Sequence, residues 1–302
     1  MDNYKKDHNL IEGKNYDFKI IKEVSIDKEE YYILETPLKT RMLLPKKPYL
    51  LYDFQLNTTI NCKVDKISCS GKIYIEPQHP FYKTGEVYPF MVEKVELINN
   101  LYNSKTKVII LQDKLQNIIT IPAWTSFNSN INELNLRVLR IKKAKLFALP
   151  ISFPYGYIHK NRRKLTLKII DAFSIINEDS YYLLEDQDLY WHLLPTKYLG
   201  NDIYDIGYKV IAYTNQHPTN NYYYLEPEHP IFKKNTIEEF HILQISTIKD
   251  EDNQFQWRVL LKDRIGMEHE IYLSKSVITK NSKTVKLKVG LIRKGKLSLS
   301  II

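Results

Sequence analysis

Residues Tyr223 to Lys233 read YYLEPEHPIFK, and 150 positions earlier Ile73 to Lys83 read IYIEPQHPFYK. The same offset pairs Tyr31-Tyr32-Ile33-Leu34-Glu35 with Tyr181-Tyr182-Leu183-Leu184-Glu185, and Leu44-Pro45 with Leu194-Pro195. It also pairs Leu111-Gln112-Asp113-Lys114 with Leu261-Lys262-Asp263-Arg264. One residue more, and LRVLRIKKAKL from Leu136 meets LKVGLIRKGKL from Leu287. Matches at so constant a spacing define a tandem duplication, and a fixed period restricts the chain to architectures built by repetition.

Each half is double again. Gly13 to Phe18 and Gly85 to Phe90 share a G-x-x-Y-x-F opening, and the runs from Cys62 and from Leu136 share an alternating pattern broken by a polar turn. Such alternation about a break reads as a hairpin. The expected organisation is four modules, at residues 1–80, 81–154, 155–230 and 231–302. In the first, Tyr16–Val24, Tyr31–Glu35, Arg41–Leu44, Ile60–Ile67 and Lys72–Glu76 read as strands, with room for a short helix between Pro45 and Thr59. Five short strands with an insertion after the third fit an OB-like barrel. The expected class is all-β, a tandem array of four OB-like five-stranded barrels arranged as two duplicated pairs.

Composition supports this class. The 302 residues include 23 tyrosines, which suit pleated, half-buried surfaces, but only nine glycines. No glycine-rich phosphate loop occurs, which removes the usual nucleotide-binding α/β folds. No apolar stretch is long enough for a membrane span, and the N-terminal residues carry no apolar core of a signal peptide. Cys62 and Cys69 are too few for a disulfide framework or a four-cysteine zinc site. The expectation is a cytoplasmic protein without cofactor or metal.

The closing hairpins carry a resemblance. In Val64 to Ile75 and in Val289 to Leu299, V-x-x-I is followed by G-K-[IL]-x-[IL]. This is similar to the last two strands of the ribosomal S-one-type RNA-binding domain. The resemblance implies an OB-fold that binds single-stranded RNA through one face of the barrel.

Charge is unevenly placed. Residues 135–168 hold ten Lys or Arg and no acid, residues 169–252 hold 15 acids against five bases, and residues 258–302 hold eleven bases against three acids. Basic charge therefore falls on the closing hairpins of modules two and four. Arg137, Lys142, Lys143 and Lys145 have counterparts in Lys288, Arg293, Lys294 and Lys296, with Arg140 and Lys286 alongside. One reading is a solvated face that keeps the chain soluble. The other is a phosphate-tracking groove whose affinity falls with salt. The acidic third module suits a basic protein partner instead.

Single-strand binding also needs stacking platforms. Trp124, Trp257, Tyr31 and Tyr181 are the candidates, with strand alternation turning one tyrosine of each adjacent pair outward and the other into the core. The EP-x-HP copies place Glu76 near His79 and Glu226 near His229, which reads either as a rigid interbarrel junction or as a ligand contact. No CxxC, HExxH or GxSxG occurs. The sequence thus points to a non-enzymatic protein binding single-stranded RNA or DNA, or alternatively to an adaptor that docks a protein partner on module three.

Overall fold

The computed structural model describes residues 10–67, 73–155, 163–174, 180–200, 202–216, 223–249, 255–273, 278–279, 281–293 and 295–302. Among these the architecture is all-β, four five-stranded antiparallel sheets in chain order.

Module one contributes β1 (Asn15–Ile26), β2 (Glu29–Glu35), β3 (Arg41–Pro45), β4 (Thr59–Ile67) and β5 (Ile73–Pro77). Module two contributes β6 (Val87–Asn99), β7 (Lys105–Gln112), β8 (Ile118–Pro122), β9 (Glu133–Lys142) and β10 (Lys145–Pro150). Module three holds β11 (Lys164–Ser174), β12 (Ser180–Glu185), β13 (Trp191–Pro195), β14 (Lys209–Gln216) and β15 (Tyr223–Pro227). Module four holds β16 (Ile237–Lys249), β17 (Phe255–Lys262), β18 (Glu268–Leu273), β19 (Thr284–Arg293) and β20 (Lys296–Ser300). The insertion after the third strand folds as a 3-10 helix in module one, Lys47–Tyr52, and in module three, Thr196–Tyr198.

All four sheets share one strand order. The first strand of each module is central, flanked by the second and fourth, with the third and fifth at the edges. One long strand serves both halves of the sheet: β1 pairs with β4 over Asn15 to Lys19 and with β2 over Lys19 to Ile26. A register shift between Ile20 and Lys22 lets it bend from one to the other, and β11 and β16 shift at the equivalent place, Ile169/Asp171 and Ile242/Gln244. A bulge supplies that bend by leaving one residue unpaired. In modules two and four the edge strands also approach, β8 beside β10 and β18 beside β20, so two of the sheets are nearly closed.

Packing follows the alternation. In β1, Phe18 and Ile20 point inward and are fully buried, meeting Tyr32, Leu34 and Leu44 from the neighbouring strands. Burial of such side chains contributes about 1.5–3 kcal/mol each. The chain divides into two compact units: Met1–Leu97, Lys107–Lys160 and Gln216–Tyr224 form the first, and Ile98–Thr106, Asn161–Asn215 and Leu225–Ile302 the second. The tip of the β6–β7 hairpin thus belongs with module three. There Leu101 donates its backbone N–H to the Ala172 carbonyl at 2.8 Å, and Asn100 donates from Nδ2 to Asp171 at 2.8 Å.

Candidate nucleic-acid interface

Strand β9 alternates cleanly. Leu134, Leu136 and Val138 enter the core, which leaves the intervening residues for the outer face. At its end Lys142 stands directly opposite Lys145 on β10, and both are exposed. Lys143 and Ala144 make the two-residue turn between them with φ of 50° and 63°. Two successive left-handed residues are the geometry a tight hairpin requires, although glycine and asparagine are its usual occupants. The Glu76 carboxylate offsets the cost by accepting the N–H of Lys143 at 2.7 Å and that of Ala144 at 3.1 Å. Burial raises the pKa of Glu76, while these two bonds and the Tyr49 hydroxyl pull it back.

The remaining basic residues of this hairpin differ in use. Arg140 lies across from Phe147 in register and places its guanidinium 5.9 Å from that ring. Arg137 is half-buried, and its Nη1 donates to the Gly85 carbonyl at 2.6 Å, tying β9 to the start of β6. That hydrogen bond gives Arg137 a structural use.

In module four Lys286 and Lys288 project from the exposed side of β19, opposite Glu239 and Ile237 of β16. Lys296 is exposed on β20 and stands opposite Arg293 in register. The Arg293 side chain and the whole of Lys294 lie outside the described residues.

The stacking platforms fare less well. Trp257 is 6% exposed and packs with Val259, Leu261, Leu287 and Val289 in the core of module four. Its place was readable, because residues 257, 259 and 261 share one face of a strand. Tyr181 is 4% exposed and Tyr182 is fully buried, so neither tyrosine of that pair turns outward. Both faces of β12 are covered, and Tyr181 to Leu184 are buried in succession. An uninterrupted apolar run is the signature of such a strand. Tyr31 behaves as expected, half-buried beside a buried Tyr32, with its hydroxyl donating to Glu29 at 2.6 Å. Trp124 is half-buried, with edge contacts to Phe127 at 4.9 Å and Tyr155 at 6.1 Å.

The histidines of EP-x-HP are backbone caps. His79 is buried, and its Nδ1 accepts the N–H of Phe81 at 3.2 Å and of Tyr82 at 3.3 Å. His229 does the same for Ile231 at 3.3 Å and Phe232 at 3.1 Å. An acceptor at Nδ1 puts the neutral ring's proton on Nε2. Burial lowers the pKa of His79 to about 4 and lowers that of His229 as well. Among the described residues no group of three or more His, Cys, Asp or Glu converges as a metal site.

One fourfold feature lies between the second and third strands. Thr36, Asp113, Asp186 and Asp263 each follow the second strand of their module, and each accepts backbone N–H groups two and four residues on. The residue three places on has positive φ in every copy: Lys39, Gln116, Leu189 and Gly266. In modules three and four the carboxylate also meets a buried histidine six places on, Asp186 with His192 at 2.9 Å and Asp263 with His269 at 2.7 Å. The pairing of Asp113 with Asp263 was visible at the 150-residue offset. The other two copies were hidden, because threonine replaces the acid in one and the flanking residues differ in the other.

Among the described residues no helix is long and apolar enough to cross a membrane. No protein-family model matches the chain, and no curated protein matches it.

Proposed function

We propose that this is a non-enzymatic, cytoplasmic protein of OB-like barrels that binds single-stranded nucleic acid, RNA ahead of DNA, through the closing hairpins of modules two and four. The observation that carries the reading is the register of those hairpins. Lys142 stands opposite Lys145 in register, and the backbone of Arg293 pairs with that of Lys296, at equivalent ends of two separate sheets. Like charges directly opposite destabilise a strand pair by an amount comparable to the roughly 0.2–1 kcal/mol that opposite charges contribute. A polyphosphate ligand removes that repulsion and gains from counterion release.

The burial of Trp257 and Tyr181 shapes the mode. With those rings in cores, affinity rests on phosphate contacts, which position a strand without reading its sequence. Fluorescence anisotropy with single-stranded RNA of mixed sequence tests this. Affinity should fall linearly on a log–log plot against salt, and the combined change of Lys142, Lys143 and Lys145 to glutamate should weaken all sequences alike. No binding at low salt, or a charge reversal without effect, overturns the reading.

A second reading, an adaptor, draws on module three, where Asp188, Asp202, Asp205 and Glu228 are exposed. It expects a protein partner that survives ribonuclease treatment and is lost when these four acids are neutralised.

A further inference from the structure

Two turns of module two reach into the core of module one. Leu115, from the β7–β8 turn, and Ala144, from the β9–β10 turn, are buried in the cluster that holds Phe18, Tyr32, Leu44 and Tyr49. Module four brings the equivalent turns against module three, although Ile265 is only partly buried and also packs on module four's own core. Leu115 plus 150 is Ile265, whose Cδ1 would lie 3.3 Å from a Cβ placed on Gly200, just after the 3-10 helix Thr196–Tyr198. Ala144 plus 151 is Gly295, buried with φ of 74°. A Cβ there would lie 2.8 Å from the Tyr198 carbonyl oxygen and 3.0 Å from that of Lys197.

Each even-numbered module therefore grips the helical insertion of the odd-numbered module before it with two turns. The seat has a definite shape. It takes an apolar side chain from the first turn and admits only a small residue from the second, because backbone carbonyls close over that position. In the first pair it also supplies an anion, Glu76, to the two N–H groups that the left-handed turn directs outward.

We propose that this two-pronged clasp is an obligate docking surface, so that the odd-numbered core is complete only with the turns of its even-numbered partner seated. The folding unit is then the pair of modules. The turn residues Ala144 and Gly295 act inward, while Lys143, Lys145 and Lys296 remain on the surface. The inference stands apart from nucleic-acid binding, since it concerns only contacts within the chain.

Hydrogen exchange on the full chain tests it, beginning with Gly295→Val. That substitution adds bulk against backbone that cannot yield, in a conformation that β-branched residues avoid. The expected result is exchange about tenfold faster or more in module three, at the Leu199 amide and along β13, as well as in β19 and β20. The first compact unit should be unchanged. If Gly295→Val does not fold, Leu115→Ala, which removes one prong and leaves the turn backbone intact, should speed exchange in β1 and β2 of module one. For either variant, faster exchange confined to the substituted module overturns the proposal.

Discussion

His79 Nδ1 accepts the backbone N–H of Tyr82 at 3.3 Å, so the ring serves the fold only while that nitrogen is unprotonated. Burial lowers its folded pKa to about 4, and in the unfolded chain histidine titrates near ~6.5. The unfolded state therefore binds more protons between these values, and stability rises with pH across that interval. The contribution is complete above the unfolded pKa and is lost as pH falls from there towards the folded value. His229 is shifted the same way. Glu76, whose pKa is raised by burial, works in the opposite sense. Urea midpoints should fall between pH 7.5 and pH 5.5. His79→Leu should lower stability at both values, by about 1–3 kcal/mol for the two N–H groups left unsatisfied, and should flatten the pH dependence.

A second expectation concerns the fourfold turn. Asp113 is 6% exposed and accepts three hydrogen bonds, from the N–H groups of Leu115 and Asn117 and from the Asn117 amide. Asp113→Ala should destabilise by about 2–3 kcal/mol, since buried donors then lose their acceptor. Asp263→Ala should cost at least as much, because it also leaves His269 buried without its carboxylate. Denaturant midpoints with unchanged slopes would bear this out. A loss below half a kilocalorie in both variants would show that water replaces the carboxylate at little cost.

Much of this fold was legible. The five strands expected in module one fall within about a residue or two of those observed, because β1, β2 and β4 alternate around buried Phe18, Ile20, Leu34, Cys62 and Val64. The duplication placed the third module from the first. What alternation could not supply was the end of each hairpin. Nothing in Lys143-Ala144 marks a left-handed pair, since the residue that stabilises it, Glu76, lies 67 positions away. The site suffered from the same blindness to distance. Arg137 looked like its lysine neighbours, yet it donates to the Gly85 carbonyl in the turn before β6, 52 positions away.

The two tryptophans of the even modules now separate cleanly. Trp257 lies in a core, so Trp257→Ala should cost about 3–5 kcal/mol of stability. Trp124 is half-buried just after β8, so its replacement should cost less. Thermal unfolding of both variants checks the order. If Trp257→Ala left stability intact and instead weakened RNA binding at high salt, its ring would have to be a stacking platform and the core assignment would fail.

Glu239 tempers the basic face of module four. It stands opposite Lys286 in the β16–β19 register, and Thr284 donates to its carboxylate at 3.1 Å. A phosphate approaching Lys286 and Lys288 meets that carboxylate on the neighbouring strand. Glu239→Gln keeps the side chain's size and an acceptor for Thr284 while removing the charge. If phosphate contacts on this face contribute to binding, the variant should bind single-stranded RNA more tightly at low salt and converge on the parent protein as salt screens the difference. Removing Lys288 should act in reverse, weakening binding and lowering the salt slope by about 0.7 if it neutralises one phosphate of a single strand. Anisotropy titrations at three or four salt concentrations give both readouts. If neither substitution alters affinity while the charge reversal at Lys142, Lys143 and Lys145 does, binding belongs to module two alone, and the equivalence of the two closing hairpins is one of ancestry.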